Sequence, residues 1–136
     1  MIDSSERDTL SDQQRNKQIV RDFAELAFNA KRPAEAVAAY IGPRYVQHNP
    51  EAPDGPEAFV AFVTGCGERF PKLSLDVRRV IAEDDLVVLH SLFTTSPEDR
   101  GTAAVDIFRL EDGKIVEHWD VVQPVPETAA NGNGMV

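Results

Sequence analysis

Little in this sequence could cross-link the chain or hold it in a membrane. Cys66 is the only cysteine in 136 residues. No internal disulfide is possible, and a reducing compartment suits the chain. No apolar run approaches the ~20 residues of a membrane-spanning helix. The polar N-terminal stretch does not read as a signal peptide, so the expected location is the cytoplasm. Basic charge is also scarce: 14 Lys and Arg stand against 23 Asp and Glu, a formal net charge of -9. A nucleic-acid binder needs a basic footprint, and none is visible. The nearest candidate, the pair Arg78 and Arg79, fits a solvated strand face better. No nucleic-acid or membrane partner is expected.

Several chemical signatures are missing as well. There is no G-x-S-x-G elbow, no phosphate-binding P-loop and no dinucleotide fingerprint. The three histidines, His48, His90 and His118, lie far apart, with no H-x-H or H-x-x-x-H pair and no cysteine cluster. Metal-ligand spacing of the usual kind is therefore absent, and no metal is expected. Cys66, in "TGCGERF", reads as a small filler rather than a nucleophile.

What is present is enough for one domain. A compact chain of this length buries roughly two thirds of its unfolded surface and needs no staples. Residues 1–10 are polar and unpatterned and are expected to form a flexible arm. "SDQQ" resembles a capping box with Ser11 as N-cap, followed by a helix to about Asn29 whose stripe is Ile19, Phe23, Leu26 and Ala27. "KRPAEAVAAYIG" predicts a shorter helix, with Pro33 in its first turn and Gly42 ending it. A short extended piece and an irregular loop follow in "RYVQHNPEAPDGP". A third helix restarts at Pro56, with Phe59, Phe62 and Val63 as its apolar face.

From Leu73 the period changes to two. Four strands follow: "LSLDVRRVIAE", "LVVLHSLFTTS", "TAAVDIFRL" and "IVEHWDVVQPV", the last two joined by an Asp-Gly hairpin turn. Helices first, then an antiparallel meander, is an α+β pattern. Residues 11–124 form the expected domain, and 125–136 a flexible tail.

Asp106 stands where a strand would favour an apolar residue. Alternation puts it on one face with Ala104 and Phe108, a composition that suits a pocket wall. A carboxylate facing such a pocket is expected to hold its proton more tightly, through desolvation, and so to exchange protons near neutral pH. The competing reading is a solvated edge residue or a buried ion pair. His90, on the preceding strand, is expected on the same face beside Asp106; the alternative is a core histidine bonded to backbone. Tyr45, Gln47, His48 and Asn49 gather donors and acceptors that could fix a ligand at a pocket mouth; the alternative is a turn started by Asn49-Pro50, with His48 in solvent. In "EHWD", His118 and Asp120 share one face and Glu117 and Trp119 the other, with the inward face left open.

The run "VDIFRLEDGKIVEHWDVVQ", with the upstream "YVQHNP", resembles the SnoaL-like polyketide cyclases. These belong to the nuclear transport factor 2-like and ketosteroid isomerase-like superfamily. The resemblance covers residues 15–124. It implies a cone-shaped α+β barrel, with about three helices on a curved antiparallel sheet around a deep pocket. It implies that Asp106 is the acid/base group, with His90 as a pocket histidine beside it. His48, Trp119 and Gln123 fall on motif positions near the pocket, and homodimers through the outer sheet face are usual in the superfamily.

The resulting expectation is a cofactor-independent enzyme acting on a small apolar carbonyl compound, by aldol condensation, isomerisation or dehydration. Asp106 and His90 would be catalytic. Tyr45, Gln47, His48, Phe59, Phe62, Phe108, Trp119 and Gln123 would bind substrate. The alternatives are a non-catalytic module that binds a small ligand or a protein through the same fold, and a structural dimer.

Overall fold

The computed structural model describes residues 4–136. Three helices cover one face of a five-stranded sheet. Helix α1 spans Ser4–Ala24 and continues as one π-helical turn, Glu25–Asn29. It starts before Ser11, so that residue lies inside the helix rather than at its N-cap. Of the expected arm, residues 1–3 lie outside the described residues and 4–10 belong to α1. Of the predicted stripe, Phe23 and Ala27 are fully enclosed and Ile19 and Leu26 half-buried, while Val20, outside the predicted stripe, is fully enclosed as well. The π-helical turn is tied to the sheet by the Asn29 side chain. Its Nδ2 donates to the Leu75 carbonyl at 2.9 Å, and its Oδ1 accepts from the Leu75 N–H at 2.8 Å.

Helix α2, Pro33–Tyr40, begins with Pro33 in its first turn, where proline's missing N–H costs nothing. It passes directly into strand β1, Ile41–Gln47. Gly42 therefore lies in β1 instead of ending the helix. A Cβ there would stand 3.3 Å from Val116 Cγ1, so the glycine serves close approach to the neighbouring strand. Helix α3 is Pro56–Arg69. Phe59 and Val63 are buried, while Phe62 is 41% exposed.

Strands β2 (Ser74–Glu83), β3 (Leu86–Thr94), β4 (Thr102–Glu111) and β5 (Lys114–Pro124) form the predicted antiparallel meander. The sheet order is β1-β5-β4-β3-β2, with β1 parallel to β5. The sheet is thus mixed and open, with β1 and β2 as free edges rather than a closed barrel. The β4–β5 turn is Asp112-Gly113, both at positive φ (50° and 76°), as a tight hairpin of this type requires. The core lies between helices and sheet. Phe23 is at its centre, with ring centroids 5.2 Å from Phe59 and 6.0 Å from Phe108. Residues 125–136 form neither helix nor strand. Near their end, the Met135 carbonyl accepts a hydrogen bond from His90 Nε2 at 3.1 Å.

Among the described residues, no helix is long and apolar enough to cross a membrane.

Candidate functional site

A cavity of about 300 Å³ opens between the helices and the inner sheet face. Six of the seven phenylalanines line it: Phe23, Phe28, Phe59, Phe62, Phe93 and Phe108. Its polar groups come from β1 and the segment after it (Tyr45, Gln47, Asn49, Glu51) and from β4 and β5 (Thr102, Asp106, His118, Asp120). A wider polar depression, about 630 Å³, opens to solvent between α1 and the start of β2, and none of these groups lines it.

Alternation along β4 works as expected. Ala104, Asp106 and Phe108 face the cavity, and Val105, Ile107 and Arg109 face outward. Cross-strand register decides which residues join them. Asp106 lies opposite Leu89 on one side and Asp120 on the other, and Phe108 lies opposite His118. The inward face of "EHWD" is therefore the one carrying His118 and Asp120.

This register corrects several expectations. His90 lies opposite Val105, on the outer face, so it is not beside Asp106. Its Nδ1 accepts from Arg79 Nη1 at 3.0 Å, which leaves Nε2–H to donate to Met135. Trp119, opposite Ile107, also faces outward and stacks on His48 at 4.8 Å between ring centroids. His48 Nε2 donates to Glu117 Oε2 at 2.7 Å, and Arg109 Nε donates to Glu117 Oε1 at 2.7 Å. These two donors hold the Glu117 carboxyl below its ordinary range, His48 contributing more. Gln123 lies opposite Ala103 on the outer face, exposed. Tyr45, Gln47, Phe59, Phe62, Phe108 and Asp106 all line the cavity as expected.

His118 takes the place expected of His90. It is 8% exposed, and its Nε2 lies 2.8 Å from Asp106 Oδ1. Its Nδ1 lies 2.7 Å from Gln47 Oε1. That oxygen also accepts the Asn49 backbone N–H at 3.0 Å, and a backbone N–H can only donate. Gln47 Oε1 is thus an acceptor, and His118 Nδ1 must carry a proton. Facing Asp106, a bare Nε2 and a bare carboxylate oxygen would repel each other. One proton therefore lies between them, as imidazolium–carboxylate or imidazole–carboxylic acid.

Gln47 Nε2 donates onward to the Tyr45 hydroxyl at 3.2 Å. Burial, with the Asp106 and Asp120 carboxylates adding to it, raises the Tyr45 phenol well above its ordinary value, so its O–H stays a donor. The Asp120 carboxylate accepts both its bonds, 3.1 and 2.9 Å, from Asn49 Nδ2.

The expectation of no metal rested on sequence spacing. The fold brings together one imidazole and two carboxylates that spacing does not reveal. Ligand atoms of Asp106, His118 and Asp120 lie within 4.8 Å of one another. A cation there would have to displace the proton between Asp106 and His118.

Beside the cavity wall, Ser91 is fully buried, and among the described residues its Oγ has no hydrogen-bond partner. It lies opposite Ala104 on the inner face.

Comparison with known proteins agrees with this architecture. No curated protein matches the sequence. Among solved structures, the chain is similar to a candidate polyketide cyclase from Acidithiobacillus ferrooxidans, with a TM-score of 0.66 and 19% identity over 79% of this chain and 87% of that one. It is also similar to IdmH, a candidate polyketide cyclase from Streptomyces antibioticus, with a TM-score of 0.63 and 23% identity over 79% and 91%. A SnoaL-like protein of unknown function from Burkholderia thailandensis gives a TM-score of 0.68 and 19% identity over 82% and 97%. The family model described as a SnoaL-like domain matches residues 20–118. The chain therefore belongs to the SnoaL-like domain family.

Proposed function

We propose that the protein is an acid–base enzyme acting on a small carbonyl compound, with the Asp106–His118 pair as its proton carrier. The observation that carries this reading is the chain Gln47–His118–Asp106. It fixes the imidazole and leaves one shared proton at the cavity wall. Asp106 Oδ1 is held by His118, and among the described residues Oδ2 has no partner, so Oδ2 is the oxygen that takes a proton from the carbon next to the carbonyl. The Tyr45 O–H donates to the enolate oxygen as charge develops there, the role of an oxyanion donor. The resulting carbanion then attacks a second carbonyl, is reprotonated elsewhere, or expels a leaving group. These routes are aldol condensation, isomerisation and dehydration, in that order of preference. The chemistry calls for no cofactor, because the pair supplies the base and the phenol the stabilising donor. The likeness in fold to candidate polyketide cyclases supports the first route.

The test is hydrogen–deuterium exchange into 4-phenylbutan-2-one in D₂O, followed by NMR. The wild type is expected to speed exchange next to the carbonyl above the buffer rate. Asp106→Asn should lose about a hundredfold or more of that increment, the range of a positioned acid–base group, with its circular dichroism unchanged. Equal exchange by both proteins would refute the mechanism and favour a ligand-binding module.

We further propose a homodimer through the outer sheet face. Ile81, Val105 and Val121 are exposed there at 59%, 36% and 73%, more apolar surface than a solvated sheet face needs.

A further inference from the structure

We infer that the ligand of this cavity is a cation: an amino ketone whose protonated amine sits against Asp120. The inference rests on the reading of the cavity as an active site and adds the class of molecule it takes.

The two inner carboxylates are not in the same electrostatic position. Asp106 has His118 at 2.8 Å, and with one proton shared and another on Nδ1 that pair is neutral overall. Among the described residues, Asp120 takes hydrogen bonds only from the Asn49 amide, at 3.1 and 2.9 Å, and the Asp106–His118 pair within 4.8 Å of it carries no net charge. An amide supplies hydrogen bonds but no charge. Among the described residues no Lys or Arg lines the cavity, and the additional acid there is Glu51. Arg109 is on the far face of the sheet, engaged by Glu111 and Glu117. The remainder of the wall is largely aromatic, and ring faces attract cations.

A ligand that fills this cavity displaces water from Asp120. With a neutral ligand the carboxylate loses hydration and regains at most a neutral hydrogen bond, or nothing if the ligand brings no donor to it. A carboxylate or phosphate on the ligand would add repulsion. An ammonium group replaces the lost hydration with a charge-assisted bond. Register then places the amine. Asp120 and Asp106 are direct cross-strand partners, so their side chains start about 5 Å apart. An ammonium on Asp120 and a reacting carbon at Asp106 are therefore separated by only two or three bonds in the ligand.

The test uses three probes of one skeleton on the full chain by isothermal titration: 4-phenylbutan-2-amine, 4-phenylbutan-2-one and 4-phenylbutanoate. The amine is expected to bind about tenfold or more tightly than the ketone, the worth of one charge-assisted contact, and the butanoate not to bind. Asp120→Asn should erase that preference. A ketone that binds the wild type as tightly as the amine overturns the inference, and so does a preference that survives in Asp120→Asn. If that variant fails to fold, the wild-type order of the three probes decides alone. Ketone exchange without amine preference sinks this inference only. Amine preference without ketone exchange sinks the enzyme reading and leaves the cation site standing.

Discussion

Asp106 and His118 meet head to head, Oδ1 to Nε2 at 2.8 Å, although neither is the other's direct partner in the sheet. The contact runs diagonally between β4 and β5, the spacing at which long side chains still reach each other. A diagonal pair depends on register along both strands, and Gln47 from the parallel strand β1 then holds the imidazole in place. Three strands thus converge on one proton.

The outer face carries a separate charge cluster whose effect on stability has a definite sign. Glu117 accepts from His48 and Arg109, and its carboxyl titrates below the ordinary value of 4.5. A lowered folded-state value means that the stabilisation is fully present above the unfolded value and is lost as pH falls through the folded one. Glu117→Gln is therefore expected to melt below the wild type at pH 7, by about 1 kcal/mol or less for a pair this close to the surface. The gap should begin to narrow below about pH 4.5 and close at lower pH. Thermal melts of both proteins from pH 3 to 8 check this. A gap that stays constant down to pH 3 would contradict it.

Ser91 is the opposite case, a polar group whose removal is expected to cost nothing. Its Oγ is buried without a partner among the described residues, and a hydroxyl in that state carries an unrecovered desolvation cost of ~1–3 kcal/mol. Ser91→Ala should leave the melting temperature unchanged or raise it. A loss of more than about 1 kcal/mol would mean that the hydroxyl has a partner.

For the proposed dimer, Val121→Lys puts a charge on the most exposed apolar position of the outer face, 73% exposed. Light scattering after size exclusion is expected to show a wild-type dimer and a monomeric variant with an unchanged melt at low concentration. A wild type that is monomeric at tens of micromolar would contradict the interface.

Much of this was legible in the chain, and the losses at the site turn on strand register. Alternation alone placed Ala104, Asp106 and Phe108 on one face and paired His118 with Asp120. It could not say which face of β5 turns inward, because an irregularity in the β4–β5 hairpin decides that. Leu110 pairs with Ile115, but Arg109 pairs with Glu117, so Val116 is an extra residue on β5. Without that bulge the count would have set Trp119 opposite Asp106, with Glu117 beside it on the inner face. With it, the polar pair comes inside. The faint sign in the sequence is "IV" at 115–116, two apolar residues in a row; both are buried. His90 was misplaced for the same reason: one residue of register across the β3–β4 connection separates it from Asp106. The role of Gln47 was legible only as a polar cluster, since nothing local announces that β1 pairs in parallel with β5. Near the N-terminus, the capping pattern at Ser11 was overridden by a helix already running from Ser4.

The central claim is that one proton is shared between Asp106 and His118 while Gln47 holds a second on Nδ1. Nitrogen-15 and proton NMR of the His118 ring tests it most directly. The account predicts Nδ1 protonated in the wild type, and a far-downfield proton bound between Nε2 and the carboxylate that disappears in Asp106→Asn. A neutral ring protonated only at Nε2, with Nδ1 bare, would contradict it.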